Sequence, residues 1–142
     1  MKISINADEA VKDAIRQIKD ASIEKRAKIK WAIQETTEKV FENAKRKAPL
    51  GKTGNLRKGI EMEMYRNGNA GIVKATAPHS HLVELGTNPR FTAPKKKKAL
   101  KINDKFVSGF ISTGKMKPKP FLKPAAEEEH ANFVARLEEA IK

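Results

Sequence analysis

Ile60-Glu61-Met62-Glu63-Met64-Tyr65, then Arg66-Asn67-Gly68-Asn69, then Gly71-Ile72-Val73-Lys74-Ala75-Thr76, is the stretch whose reading decides the fold. Ile60, Met62 and Met64 alternate with charged residues, which is the period-two pattern of a half-buried strand. Arg66 to Asn69 is a strong hairpin turn signal. The second apolar run is then the returning strand, and Pro78 stops it. A β-hairpin in the middle of the chain, with helical patterning on both sides, predicts an α+β protein: a small antiparallel sheet with helices packed on one side.

Upstream, no proline or glycine occurs from Asp8 to Lys47. Val11, Ala14, Ile15, Ile18 and Ala21 recur at three- and four-residue spacing, and Ile29, Ile33, Val40, Phe41 and Ala44 continue the pattern. The spacing predicts a long amphipathic helix over about residues 8–47, or two in tandem with a bend near 22–26. At 1.5 Å per residue it would reach roughly 60 Å, more than a compact domain of this size covers, so part of it is expected to pack on another subunit or to stay mobile. Ala48-Pro49 ends it, because the residue before a proline is biased out of helix.

Downstream, Ser80 is a plausible N-cap for a short helix through Leu85, with Gly86 as its stop. Thr87 to Pro94 reads as extended or loop. Asn103-Asp104 reads as a turn between Ala99–Ile102 and a strand over Lys105–Ile111, and Ser112 to Lys119 as a basic loop. A terminal helix is expected over about 125–141, after Pro124, with Glu127, Glu128 and Glu129 in its first turn at the positive end of the helix dipole. Its apolar face is Ala131, Phe133, Val134, Leu137 and Ile141.

The chain has 142 residues, which sets one domain as the prior. Hydrophobic content of 39% is low and charged content of 33% is high, which suggests a thin core or burial completed against partners. With no cysteine there is no thiolate zinc or thiol redox chemistry. The N-terminus lacks the apolar run of a signal peptide, so synthesis and residence in the cytosol are expected unless a larger assembly carries the protein out. No stretch approaches the ~18 apolar residues of a membrane span.

The formal charge of +13 is uneven: residues 1–88 carry a net +6, 89–123 a net +10 and 124–142 a net −3. The basic segment contains Arg90, Lys95, Lys96, Lys97, Lys98, Lys101, Lys115, Lys117 and Lys119. It seeks an anionic surface, either phosphate backbone or an acidic protein face. The run Lys95 to Lys98 has no interleaved aromatics beyond Phe91, so base stacking is not indicated. A solvated loop, a lysine-guarded edge or a protein-facing surface is the preferred reading.

Candidate chemistry is sparse. His79, His81 and Glu84 do not share one face, so a zinc site is disfavoured. Gly51-Lys52-Thr53 copies the tail of a phosphate-binding loop, but Arg46 stands where its first glycine belongs and a helix precedes it. Glu61 and Glu63 share a solvent-facing strand side, which reads as a polar face rather than an acid–base pair. No enzyme activity and no cofactor are expected.

Three separated motifs remain: Pro49 with Thr53-Gly54-Asn55-Leu56-Arg57; Val83-Glu84-Leu85-Gly86-Thr87; and Pro120-Phe121-Leu122-Lys123-Pro124-Ala125. Thr53 and Gly54 set a tight turn, and Leu56 and Ile60 anchor the hairpin. Arg57 and Glu84 are candidates for a structural ion pair. Phe121 and Leu122, between two prolines, are candidates for an internal anchor.

In this order the motifs resemble the tail-completion and head–tail joining proteins of tailed bacteriophages and prophages, the minor tail protein Z-like group, over about residues 8–142. The departures are His81-Leu82 where an aromatic usually precedes Val83-Glu84, and Gly59 where serine or alanine usually precedes Ile60. The resemblance implies an α+β fold with a long N-terminal helix. It also implies a non-catalytic role in the virion neck, with connector, tail-tube or terminator proteins as partners. A homo-oligomeric ring follows from the same resemblance, with the basic segment facing neighbouring subunits or DNA passing through the neck. A basic nucleic-acid-binding module is the alternative.

Overall fold

The computed structural model describes residues 2–3, 12, 16, 22–94 and 99–142. The chain divides into two compact units, Met1–Ser80 with Pro120–Lys142, and His81–Lys119.

The first unit is built on helix α1, Ile23–Lys47. The helix begins after Ser22, the N-cap, whose hydroxyl accepts from Lys25 N at 3.5 Å and whose carbonyl accepts from Arg26 N at 3.1 Å; the expected bend near 22–26 involves residues outside those described. Lys12 and Arg16 are helical, and the rest of the expected segment 8–21 lies outside the described residues. At the other end Ala48 turns to extended backbone before Pro49, still donating its N–H to Ala44 O. Lys45, Arg46 and Lys47 occupy the last turn, where the dipole favours cations. The buried stripe is Ile29, Ala32, Thr36, Thr37, Val40 and Ala44, spaced by threes and fours as one helix face requires.

Strand β1 (Lys2–Ile3), strand β2 (Ile60–Tyr65) and strand β3 (Ala70–Ala75) form an antiparallel sheet in the order β1-β3-β2. The central hairpin is as the alternation predicts, closed by a 3-10 turn at Arg66–Gly68 with Arg66 and Asn67 at positive φ. β1 carries too few residues to leave a periodic signal. Ile60, Met62 and Met64 stand opposite Ala75, Val73 and Gly71 on the face toward α1. On the other face Lys74 bridges Glu63 and Glu61, and Tyr65 donates its hydroxyl proton to Glu63.

Helix α1 lies so close to β3 at Gly71 that no side chain fits there. A Cβ on Gly71 would stand 1.9 Å from Thr37 Oγ1 and 2.8 Å from Thr37 Cβ and Cγ2. Thr37 is fixed by donating its hydroxyl to Ile33 O at 2.7 Å.

The C-terminal helix, α4, runs Leu122–Ile141 and starts three residues earlier than expected. Pro124 therefore sits inside the first turn, where a missing N–H costs nothing because it has no intrahelical partner. The first turn holds no acidic residue, so the expected acidic start is corrected: Glu127 to Glu129 come one turn later. The helix packs antiparallel on α1. Lys25 Nζ donates to Ile141 O at 2.8 Å at one end, and Lys47 pairs with Glu128 at 2.6 Å toward the other. Ile29 and Ala32 meet Leu137 and Ala140 between them, flanked by Ile33, Phe133 and Ile141.

Arg136 links the two helices. Its Nη1 donates to Thr36 Oγ1 at 3.0 Å and lies 3.4 Å from buried Glu129, while Nε is 3.5 Å from Glu35. The Glu35 carboxyl is held below its usual range chiefly by its hydrogen bond from Lys39, then by the Arg136 charge, with burial opposing both. A lowered folded pKa contributes stability above the ordinary value of 4.5, and that contribution is lost as pH falls through the lowered value. Glu35→Gln is accordingly expected to flatten the acid limb of a stability-versus-pH curve and to leave its neutral slope alone.

The second unit contains two small ladders. Strand β5 (Leu100–Ile102) and strand β6 (Lys105–Val107) pair across Asn103-Asp104, both at positive φ, as the predicted turn requires. The expected strand Lys105–Ile111 does not form as one piece. It breaks at Ser108–Phe110, and Ile111–Gly114 becomes strand β7, paired with strand β4 (Arg90–Thr92), which the sequence left as extended or loop. The break follows from pairing between segments about twenty residues apart, which leaves no local turn signal to read.

Candidate functional site

The first motif closes the end of α1. Gly54 takes a left-handed conformation and opens the short helix α2, Asn55–Lys58. Leu56 is buried beneath it. Arg57 reaches back: its Nε donates to Ala48 O at 2.7 Å and Nη2 to Arg46 O at 3.4 Å. A guanidinium there satisfies carbonyls that the helix leaves unpaired and lies at the negative end of the dipole. That role was not read from the sequence, because nothing in the local pattern says which carbonyls a loop arginine will meet. Arg57→Ala is expected to cost about 1–2 kcal/mol, with Arg57→Lys recovering part of it, read from urea midpoints at constant slope. After α2, Gly59 O accepts from both Thr76 N (2.7 Å) and Thr76 Oγ1 (2.9 Å), which ties the hairpin's two ends together.

The third motif also belongs to the first unit. Phe121, Leu122 and Ala125 are buried, and Phe121 is the largest of the fully buried side chains. Phe121 occupies the N-cap position of α4 without a side-chain cap hydrogen bond. Burial, not capping, accounts for an aromatic at that position.

The second motif is a clasp. Ser80 opens the short helix α3, Ser80–Leu85. Expected as an N-cap, it is the first helical residue, and its hydroxyl donates to Ala75 O at 3.4 Å. Glu84 on this helix is buried. Gly86 stops the helix with φ +74° and donates to Leu82 O. Thr87 then exchanges two hydrogen bonds with Met116: Thr87 N donates to Met116 O at 3.0 Å, and Met116 N donates to Thr87 Oγ1 at 2.9 Å. Lys119 N donates to Val83 O at 2.8 Å. The motif thus fixes the backbone of the lysine- and proline-rich segment. A Cβ on Gly86 would stand 2.7 Å from Met116 O and 2.9 Å from Pro118 Cδ. Gly86→Ala is expected to cost about 1–3 kcal/mol and to speed amide exchange at Met116 ahead of the rest of the chain.

What the clasp presents is cationic and apolar. Arg90, Lys101, Lys115, Lys117 and Lys119 are exposed, with Lys101 paired to Asp104 at 2.9 Å. Lys95 to Lys98 lie outside the described residues. Exposed with them are Leu85, Phe91, Phe106 and Phe110. No apolar side chain of this unit is fully buried among those described. Phe106 and Phe110 were read as residues of one strand, with nothing said of their burial; the structure leaves both exposed. The flanking lysines and Gly109 were the available signal. The concavity beside the clasp is lined by Leu85, Gly86, Thr87, Asn88 and Lys115–Pro118, which brings cations and apolar surface but no carboxylate or histidine. Among the described residues no three His, Cys, Asp or Glu side chains group as metal ligands, and no helix is long and apolar enough to cross a membrane.

The motifs pack side chains and fix backbone, and beside them stands an exposed cationic and apolar surface. The family described as "Bacteriophage HK97-gp10, putative tail-component" matches residues 9–86, more than half of the chain, and the protein belongs to that family. It is a structural component of a phage tail, and its neighbours are other phage structural proteins. The match takes in the first motif and the second as far as Gly86; Thr87, the basic segment and the Pro120-Phe121-Leu122 motif lie beyond it. No curated protein and no solved structure matches.

Proposed function

We propose that this tail component acts at the head–tail junction, as a tail-completion or head–tail joining protein. It assembles there as a homo-oligomeric ring between the portal-proximal connector and the tail tube or terminator, through protein contacts and without catalysis. The observation that carries this reading is the bare second unit, whose exposed aromatics and lysines favour burial against a neighbour. A thin-cored unit of this kind gains its burial on assembly. The clasp within that unit serves the same end by fixing the backbone of its lysine-rich segment.

The test is genetic and structural. A phage or prophage lacking this gene is expected to accumulate filled heads and separate tails, and the full-length chain supplied in trans is expected to restore joined virions. Joined, infectious particles without the chain would refute the role.

A second reading is favoured by the exposed Lys115, Lys117 and Lys119: contact with DNA passing through the neck, or binding of nucleic acid as the main activity. A DNA-binding module would hold duplex DNA tightly at low salt and lose it steeply as salt rises. The junction reading expects weak binding beside salt-tolerant protein contacts.

A further inference from the structure

Phe106 is 75% and Phe110 85% exposed, within a segment, 89–123, that carries a net +10. The opposite sign is carried by the same chain's C-terminal end, net −3 over 124–142. On α4, Leu122, Ala125, Glu129, Leu137 and Ala140 are buried; Glu127, Ala131, Ala135, Glu138 and Glu139 are exposed, as are Asn132, Glu128 (paired with Lys47) and Lys123 (3.8 Å from Glu127). The three- and four-residue spacing of Glu127, Ala131, Ala135, Glu138 and Glu139 puts them on one strip of the helix. The alanine floor, Ala131 and Ala135, has low relief; Glu138 and Glu139 stand at one end, and Glu127, shared with Lys123, at the other. Aromatic rings lie flat on such a floor while flanking lysines meet the carboxylates.

From this complementarity we infer that the aromatic, lysine-rich unit of one copy docks on the outer strip of α4 of a second copy. This rests on the self-assembly part of the proposed function and names its contact. Each copy then uses two different surfaces, one giving and one receiving. Such a heterologous interface runs head to tail and closes into a ring when the rotation permits.

The test uses the full-length chain in sedimentation velocity at low salt, with circular dichroism checking that every variant folds. One variant reverses the arm (Lys115→Glu, Lys117→Glu, Lys119→Glu) and another reverses the strip (Glu138→Lys, Glu139→Lys). The parent is expected to self-associate, and each variant alone to associate about tenfold or more weakly. An equimolar mixture of the two is expected to recover, because every junction in an alternating assembly is again complementary. Phe106→Ser with Phe110→Ser, which leaves the charge unchanged, is expected to weaken association as well. Variants that assemble like the parent, or a mixture no better than its components, would overturn the contact while leaving a ring by other surfaces standing. A parent that stays monomeric would overturn both. Normal assembly by the arm variant together with lost binding to duplex DNA would assign the lysines to DNA and overturn the contact.

Discussion

Gly71→Ala is expected to be among the most damaging single methyl additions to this protein, at about 2–3 kcal/mol or more. The reason is geometric. The new Cβ falls 1.9 Å from Thr37 Oγ1, and Thr37 Cβ is within 2.8 Å, too near the helix backbone to swing aside. Either α1 lifts from β3 or the strand bends, and both open the packing around Val73 and Ala75, which are buried on the same sheet. Urea unfolding checks it: the midpoint should drop with little change in slope. Thr37→Ala removes Oγ1 and Cγ2 and should partly rescue Gly71→Ala, so the two changes should couple strongly in a double-mutant cycle. Additive effects would mean that the helix does not approach the strand at this point.

Phe121→Ala is expected to cost about 3–5 kcal/mol, as emptying a fully buried aromatic site does. The side chain is 0% exposed, and its neighbours Leu122 and Ala125 are equally enclosed, so no water-filled collapse is at hand to soften the loss. Phe121→Leu, which keeps much of the volume, should cost under about 2 kcal/mol. The readout is thermal or urea stability of the full chain. A variant as stable as the parent, but deficient in joining heads to tails, would convert the segment from an internal anchor into a partner-binding surface.

Both predictions turn on contacts of very different legibility. The burial of Phe121 and Leu122 is foreshadowed in the sequence by two apolar residues held between prolines, and the α1 stripe by its three- and four-residue spacing. The hairpin and its turn are equally plain, since alternation and turn chemistry are local properties. The start of α4 was misplaced because Pro124 reads as a breaker, and only its position in the first turn makes it harmless. The Arg57 contact to the end of α1, the Thr87–Met116 clasp and the β4–β7 ladder join residues 9, 29 and about 20 positions apart. No local pattern encodes those meetings.

The sequence by itself determined the class of fold, the two main helices, the central hairpin and the uneven charge, because each follows from the period of the side chains or from simple composition. Tertiary structure alone decided that Gly71 must lack a side chain and that Glu129 is buried against Arg136. It likewise decided that Gly86 and Thr87 grip the lysine-rich segment, and that Phe106 and Phe110 stay in water. Each of those depends on which distant atoms arrive within a few ångströms of one another. That is fixed by the packing of helix on sheet and helix on helix, not by any residue's own preference.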